Sequence, residues 1–446
     1  MIARFEQEIF QAGQGSIVAT GSSYSMRTWI GLAVLSLGAA VTLLNLAVLS
    51  PLLRPIGEDF GTSDATTGQL ATVSALVAVV SSLAATPWMD HWSRRSWLRI
   101  EGSVVLAAIL LSAAAPSFGW LMAGRVLASF GGAVIMANCM TGARELFTDT
   151  VWRNRAIGII VSATTLAFAV GLPLITQIEA RMGWRVAMAS TAVPVLLLLA
   201  GTFALPSGSA APQVAGNPGS GILTSFRAVL GDNRTRGLMV LLGLNLGIYS
   251  GWLVYFGAYT IDVFAASATV LSTLFFLSGA TEMLANNLTP PLLRRFDPIH
   301  VLYLMLALVG GALLLTGILI TSIPAAFVAA VVVLNGTASA YIAANALLLQ
   351  GERTHPGAVM SVASASIGIG NALGPFIAGS ALAASGSFET AYRALGLMAP
   401  VAMLALWLGV RGNHRSRASE VAGLSQMRHK RNGFPVCLWQ GVELSR

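Results

Sequence analysis

Residues 236–260 read RGLMVLLGLNLGIYSGWLVYFGAYT, an apolar stretch whose one charged residue is its first arginine. A helix needs about 20 mainly apolar residues to cross the ~30 Å hydrocarbon core of a bilayer. Eleven similar stretches, bounded by charges or by proline and glycine, lie at 28–50, 66–89, 99–117, 119–142, 156–178, 185–206, 267–290, 299–321, 323–348, 357–383 and 389–410. We therefore expect an all-α integral membrane protein with twelve transmembrane helices.

The composition of the 446-residue chain agrees with this expectation, since 55% of its residues are hydrophobic and only 10% are charged. Soluble domains have about 25% charged residues. The net charge of +8 could indicate a nucleic-acid partner, but most of the 26 lysines and arginines fall in segments on one side of the predicted spans. This is the positive-inside pattern. It predicts a multi-pass protein of the cytoplasmic (inner) membrane, surrounded by lipid bilayer, with both termini cytoplasmic and no nucleic-acid partner.

The predicted spans divide into two groups of six. The segment between them begins with PSGSAAP at position 206 and continues with glycine, proline and serine, which is the composition of a flexible linker. The predicted organisation is a cytoplasmic N-terminal segment, a six-helix half, a cytoplasmic linker, a second six-helix half and a basic cytoplasmic tail. The corresponding ranges are 1–27, 28–206, 207–235, 236–410 and 411–446.

The two halves carry similar residues at nearly the same offset along the chain. Pro173 of span five corresponds to Pro375 of span eleven, and the Thr-Pro pair at 86–87 corresponds to the pair at 289–290. Six spans separate the copies, so the repeat is parallel. Two six-helix pseudo-repeats around a central cavity form a common transporter architecture. Pro173, Gly374 and Pro375 are also candidate helix bends, although a tolerated kink is the alternative for the pair in span eleven.

The connection between spans two and three carries a charged motif. It reads TPWMDHWSRR over residues 86–95 and resembles the Gly-x-Leu-x-Asp-Arg-x-Gly-Arg-Arg signature of the major facilitator superfamily. Asp90, Arg94 and Arg95 are in place, whereas other residues stand at the two glycine positions. The resemblance implies that these three side chains form a latch that holds the outward-facing state. A solvated charge cluster that only sets topology is the alternative.

Two further motifs extend the resemblance over roughly residues 28–410. Span four is similar to the family's arginine motif, with Arg125 and Gly131 in place. Span five ends in Gly-Leu-Pro at 171–173, and Gly-Trp-Arg follows at 183–185. This combination resembles the sugar- and nucleoside-efflux branch of the twelve-span drug/proton antiporter group.

Two charged residues are candidates for proton coupling. Glu282 is expected to be the one carboxyl deep in a span, where an ionised group costs ~2.5–3.5 kcal/mol on insertion scales. A carboxyl that exchanges a proton at that depth could couple transport to a proton gradient, whereas a protonated glutamic acid bonded to a neighbouring helix is the alternative. Arg125 is expected to be the one intramembrane base. It could bind an anionic group or modulate a proton site, or it could hold backbone carbonyls.

Polar and aromatic residues on span seven predict a substrate cavity. They are spaced by three and four residues, which places them on one helix face, and such faces suit flat amphiphilic molecules. An interfacial aromatic belt is the alternative, chiefly for Tyr259. With polar groups on spans one, eight and ten, the cavity candidates are Asn45, Asn245, Tyr249, Trp252, Phe256, Asn286, Tyr341 and Asn345.

These observations predict a monomeric secondary active transporter that works by alternating access. The expected reaction is proton-coupled efflux of a small amphiphilic organic compound, such as a drug, a sugar or a nucleoside. Import of an aromatic, vitamin-like nutrient is one alternative, and a transporter-like membrane sensor without transport is another. No metal or organic cofactor is expected, since the proton gradient would supply the energy.

Other classes of membrane protein are not indicated. The single lysine, Lys430, follows no glycine-rich phosphate-binding loop, which argues against an ATP-driven pump. The predicted spans contain no Ser/His pair or double-Asp site, so an enzyme is not expected.

Overall fold

The computed structural model describes residues 24–85, 92–205, 231–351 and 356–411. Within these ranges the chain forms twelve apolar helical spans, of which eleven have 18 residues or more and α9 has 17. The all-α membrane fold predicted from the sequence is therefore confirmed. The spans are α1 Met26–Phe60, α2 Asp64–Ala85, α3 Arg94–Ala113, α4 Phe118–Leu146, α5 Thr150–Met182, α6 Trp184–Ala204, α7 Asn233–Phe264, α8 Ala268–Arg295, α9 Pro298–Leu314, α10 Ile323–Gly351, α11 Pro356–Ser385 and α12 Phe388–Arg411.

Capping side chains set where several helices begin. The Ser93 hydroxyl accepts a hydrogen bond from the Ser96 amide at 3.2 Å, so α3 begins at residue 94 instead of the expected 99. Asp232 accepts from the Thr235 amide at 2.8 Å and starts α7 in the same way. An N-cap acceptor satisfies one of the amides that the first turn leaves unpaired. Arg94, placed in a connection by the hydropathy pattern, consequently lies in the first turn of a helix.

Buried residues form three apolar clusters that reflect two halves. One cluster lies within α1–α6 and a second within α7–α12. The largest cluster contains residues of both halves, from Leu52 of α1 to Leu395 of α12. It lies at what we call the far end, where α1 and α7 finish. The linker end is the opposite one, where α6 finishes and α7 begins.

Close helix contacts join the two halves at the far end. A Cβ atom on Gly257 would lie 2.2 Å from the backbone oxygen of Ser50, and one on Gly68 would lie 2.0 Å from the hydroxyl oxygen of Tyr255. No side chain fits at such distances, so glycine is needed for this approach. The Ser50 hydroxyl also donates to the backbone oxygen of Leu253. The far end is thus closed by direct packing of α1 and α2 against α7.

Candidate substrate and proton site

Arg125 joins α4 to α1. Its Nη1 donates to Oδ1 of Asn45 at 3.0 Å, and its Nη2 donates to the backbone oxygen of Asn45 at 2.6 Å. Asn45 Nδ2 in turn donates to the backbone oxygen of Ala128 at 3.4 Å. Arg125 is 3% exposed and lines a cavity of about 10 Å³, which has room for roughly one water molecule. The structure therefore brings the predicted residues Arg125 and Asn45 together as a tight structural pair.

Small residues of α4 allow this arrangement. A Cβ atom on Gly124 would lie 2.4 Å from the Ser112 hydroxyl, and one on Gly131 would lie 2.7 Å from the Val104 side chain. These glycines hold α4 against α3. Arg125 follows Gly124, and its side chain reaches Asn45 of α1 beside a cavity that residues of α1 and α3 also line.

Glu282 lies where α8 meets α5 and α7. The side chain is partly exposed, but its Oε2 is buried and has no hydrogen-bond partner among the described residues. The carboxyl is close enough to Tyr249 of α7 for electrostatic interaction. One turn further on, Asn286 Nδ2 donates to Oγ1 of Thr165 on α5 at 3.4 Å. The ion pairs of the described chain do not include one between Glu282 and Arg125.

The face predicted on α7 changes character along the helix. Asn245 is fully buried and donates from Nδ2 to the backbone oxygen of Thr337 on α10 at 2.9 Å. Tyr249 is half-buried. Trp252 and Phe256 are only 3% and 2% exposed, with ring centroids 4.4 Å apart. In this state the outer part of the predicted cavity wall is enclosed in the far-end cluster, and Tyr249 remains next to Glu282.

Tyr259 is not part of an interfacial belt. Its side chain is 2% exposed, and its ring packs against Tyr392 of α12 with centroids 5.0 Å apart. The belt alternative for this residue is therefore wrong. On α10, in contrast, Tyr341 is 39% exposed, and Asn345 donates to its backbone oxygen at 2.8 Å. These two candidates share an open face of α10.

The predicted latch residue Arg94 binds groups on α4. Its Nε donates to Oε1 of Glu145 at 3.0 Å, and its Nη1 donates to Oδ1 of Asn138 at 3.1 Å. Arg94 is 6% exposed. Arg94, in the first turn of α3, is thus a second buried arginine of the first half, and the place of Arg125 as the one intramembrane base stays a prediction.

The other two latch residues are placed differently. The Arg95 guanidinium lies over the ring of Phe203 on α6, 5.3 Å from its centroid, which is a cation–π geometry. Asp90 lies outside the described residues. The latch role of Asp90, Arg94 and Arg95 stays a prediction.

Glu101 of α3 is a buried acid that the hydropathy pattern missed. It is 4% exposed, and its Oε2 accepts a hydrogen bond from Asn138 at 3.0 Å. The expectation that Glu282 is the one carboxyl deep in a span is wrong, because α3 begins at residue 94 instead of 99 and places Glu101 seven residues from its start instead of two. Spacing could have revealed it. Arg94 and Glu101 are seven residues apart on α3, as are Asn138 and Glu145 on α4, so each pair shares a helix face.

The predicted bends have distinct surroundings. Pro173 lies two residues after a π-helical turn at Ala167–Gly171, an irregularity that often marks functional sites in helices. Pro375 lies inside α11. A Cβ atom on the adjacent Gly374 would lie 1.8 Å from the backbone oxygen of Gly247, so this glycine lets α11 and α7 touch.

The fold and these sites define a polytopic helical membrane protein of the transporter class, with two six-helix halves that carry polar groups between them. The Major Facilitator Superfamily profile matches residues 35–351. The chain belongs to the Major Facilitator Superfamily.

Several similar proteins are efflux pumps. The chain is 33% identical over 39% of its length to the multidrug efflux pump LfrA of Mycolicibacterium smegmatis, covering 34% of that protein. It is 30% identical over 44% of its length to a chloramphenicol efflux pump of Mycobacterium tuberculosis, covering 47% of that pump. The purine ribonucleoside efflux pump NepI of Shigella sonnei is 25% identical over 64% of this chain, with 70% of NepI covered. The chain thus matches about a third to a half of the length of the first two relatives.

Solved structures share the fold. A variant of the nucleoside transporter NupG superimposes with a TM-score of 0.70 at 14% identity, over 85% of this chain and 99% of that one. A bacterial homologue of the human lysosomal transporter Spinster, in an inward-facing and unoccupied conformation, gives 0.65 at 18% identity, over 87% of this chain and 96% of that one.

Proposed function

We propose that this protein exports small amphiphilic organic compounds in exchange for protons, by alternating access. The observation that carries the proposal is the Glu282 carboxyl, which lies near the middle of a membrane span with Oε2 buried and without a hydrogen-bond partner in the ranges that the structure describes. The efflux activity of LfrA, NepI and the chloramphenicol pump supports the direction.

The chemistry follows from the surroundings of Glu282. An ionised carboxyl with an unpaired oxygen in a poorly solvated site is unstable relative to one that binds a proton or receives an N–H or O–H donor. A proton and a donor group of the substrate therefore compete for Glu282, and this competition is the exchange that an antiporter needs. The neighbouring half-buried Tyr249 supplies an aromatic face and a hydroxyl to the same space.

In the proposed alternating-access cycle, the two ends of the helix bundle open in turn. The far end is closed by packing of α1 and α2 on α7, and by an ion pair between Arg54 and Asp262. The exposed side chain of Tyr341 supports a state that is open toward the linker end. We assign the linker end to the cytoplasm, with both termini on that side of the inner membrane. The working unit in this proposal is a monomer that uses a proton gradient and no cofactor.

Proton movement in liposomes tests the proposal. The wild-type protein, Glu282→Gln and the control Glu58→Gln, which changes an exposed far-end carboxyl, are reconstituted with a pH-sensitive dye inside. A pH gradient is imposed, and chloramphenicol, inosine and other aromatic or sugar-like compounds are added in turn. We expect compound-dependent proton movement in the wild type and in Glu58→Gln, and its loss in Glu282→Gln.

The other outcomes are informative. If proton movement persists in Glu282→Gln, the protein is still a proton-coupled transporter, and Glu282 has a structural role only. If no compound moves protons through the wild-type protein, uncoupled uptake or sensing becomes the better account.

A further inference from the structure

A second pocket lies in the first half between α2, α3 and α4, on different helices from Glu282. Its volume is about 290 Å³. The wall is mostly apolar, and Ile100 and Phe130 are exposed at 43% and 61%, so the pocket has an open rim. Ser81, Ala133, Trp97 and Glu101 contribute to the lining.

Two polar atoms of this lining are buried without a hydrogen-bond partner among the described residues. They are Oε1 of Glu101 and Nε1 of Trp97. Leaving a buried polar atom unpaired costs about 1–3 kcal/mol, and more for a charged group. Both side chains line the pocket, so a ligand that reaches these two atoms with complementary groups would satisfy one strong acceptor and one donor.

The orientation of Glu101 is fixed by its neighbours. Its other oxygen, Oε2, accepts from Asn138 Nδ2 at 3.0 Å. The amide of Asn138 is itself oriented because its Oδ1 accepts from Arg94 at 3.1 Å. Oε1 is thus held in place before a ligand arrives, which lowers the entropy cost of binding.

We propose that this pocket is a second binding site for a small amphiphilic cation. A protonated amine binds Oε1 of Glu101 through a charge-assisted hydrogen bond. An acceptor group near the amine takes the hydrogen bond of Trp97 Nε1, and the aromatic or aliphatic body lies against the apolar walls of α2 and α4. The volume of about 290 Å³ limits the body to one or two rings.

Equilibrium dialysis with radiolabelled 1-naphthylmethylamine tests the site. The full-length protein is placed in phosphatidylcholine nanodiscs, and binding to empty nanodiscs is subtracted. The neutral analogue 1-naphthylmethanol provides the ligand control. Glu101→Gln removes the charge, and Ala133→Leu fills the pocket while leaving the carboxyl and its Asn138 bond intact. Ala137→Leu adds the same bulk to an exposed position one turn away on α4, outside the pocket lining.

We expect saturable binding of the amine to the wild-type protein, and affinity at least about tenfold lower for Glu101→Gln, for Ala133→Leu and for the neutral alcohol. Ala137→Leu and Glu282→Gln should bind the amine like the wild type, since neither residue lines this pocket. Equal affinity in Glu101→Gln, equal binding of the alcohol, or a loss confined to Glu282→Gln would overturn the proposal. Absence of saturable binding to the wild type would overturn it as well.

Discussion

The two residues predicted to carry proton chemistry, one in each half, are held differently. Arg125 donates from Nη1 and Nη2 to the side chain and the backbone oxygen of Asn45, beside a cavity of only about 10 Å³, and only its Nε lacks a partner among the described residues. Glu282 has a buried oxygen without a partner in the described part of the chain, and the nearby amide of Asn286 binds Thr165 instead.

The difference separates a structural charge from an exchangeable one. A buried charge with fixed hydrogen bonds gains its stability from those bonds, so removing it mainly destabilises the fold. A buried carboxyl without them loses little when it is neutralised, and it can pass a proton or a ligand donor back and forth. We therefore expect Arg125 to position α1 against α4, and Glu282 to take part in transport.

The largest difference between Glu282 and Arg125 is expected in the coupling of proton movement to compound transport. Glu282→Gln should reduce compound-driven proton movement to the level of empty liposomes, because the amide of glutamine neither binds nor releases a proton at the pH of the assay. Arg125→Lys, which keeps the positive charge near Asn45, should retain measurable proton movement. Internal-pH recordings on matched amounts of reconstituted protein provide the comparison. Residual coupling in Glu282→Gln together with none in Arg125→Lys would reverse the two roles.

The next largest effect concerns stability. Arg125→Ala leaves two oxygens of Asn45 without their charged donor, so we expect it to lower the free energy of unfolding by about 2–5 kcal/mol. Glu282→Gln should change it by about 1 kcal/mol or less. Titration of detergent-solubilised protein with SDS, followed by circular dichroism, measures both. A greater loss in Glu282→Gln would show that its carboxyl is structurally bound.

A smaller effect is expected when Asn45 is shortened. In Asn45→Ala the guanidinium of Arg125 keeps the backbone acceptor and loses the side-chain one, which should cost about 1–2 kcal/mol. Asn345→Ala is the matched control, because this asparagine binds only within its own helix on an exposed face. Its expected change is within about 0.5 kcal/mol. Equal effects of the two substitutions would contradict the positioning role of Asn45.

The smallest effect is expected for the bond between α8 and α5. Asn286 and Thr165 are 3.4 Å apart, and hydrogen bonds between membrane helices average about 0.6 kcal/mol. A double-mutant cycle with Asn286→Ala and Thr165→Val should give a coupling energy of about that size in the SDS titration. A coupling energy above about 2 kcal/mol would mean that the bond between Asn286 and Thr165, rather than Glu282, is the main polar contribution to the contact between α8 and α5.

The sequence predicted the helices well because the bilayer dictates the length and apolarity of each span. It misplaced their ends where a local contact decides, as at Ser93, whose cap starts α3 early. Within the candidate site, Arg125 and Glu282 could be predicted because they are charged residues inside apolar runs. Their partners were not, since Asn45 lies 80 positions from Arg125 and only the packing of α1 on α4 brings them together. The enclosure of Trp252 likewise depends on which end of the bundle is closed.

The ion pair between Arg54 and Asp262 gives the far end a dependence on ionic strength. The two side chains are 33% and 49% exposed, so dissolved ions reach them. The screening length of water falls from about 10 Å at 0.1 M salt to about 3 Å at 1 M, and an exposed pair of this kind contributes up to about 1 kcal/mol. Raising the salt concentration on that face alone should therefore shift the population toward separated halves by up to about fivefold. In the orientation proposed above, the ionic strength on the outer side of the membrane would then act as a mild regulator of the resting conformation.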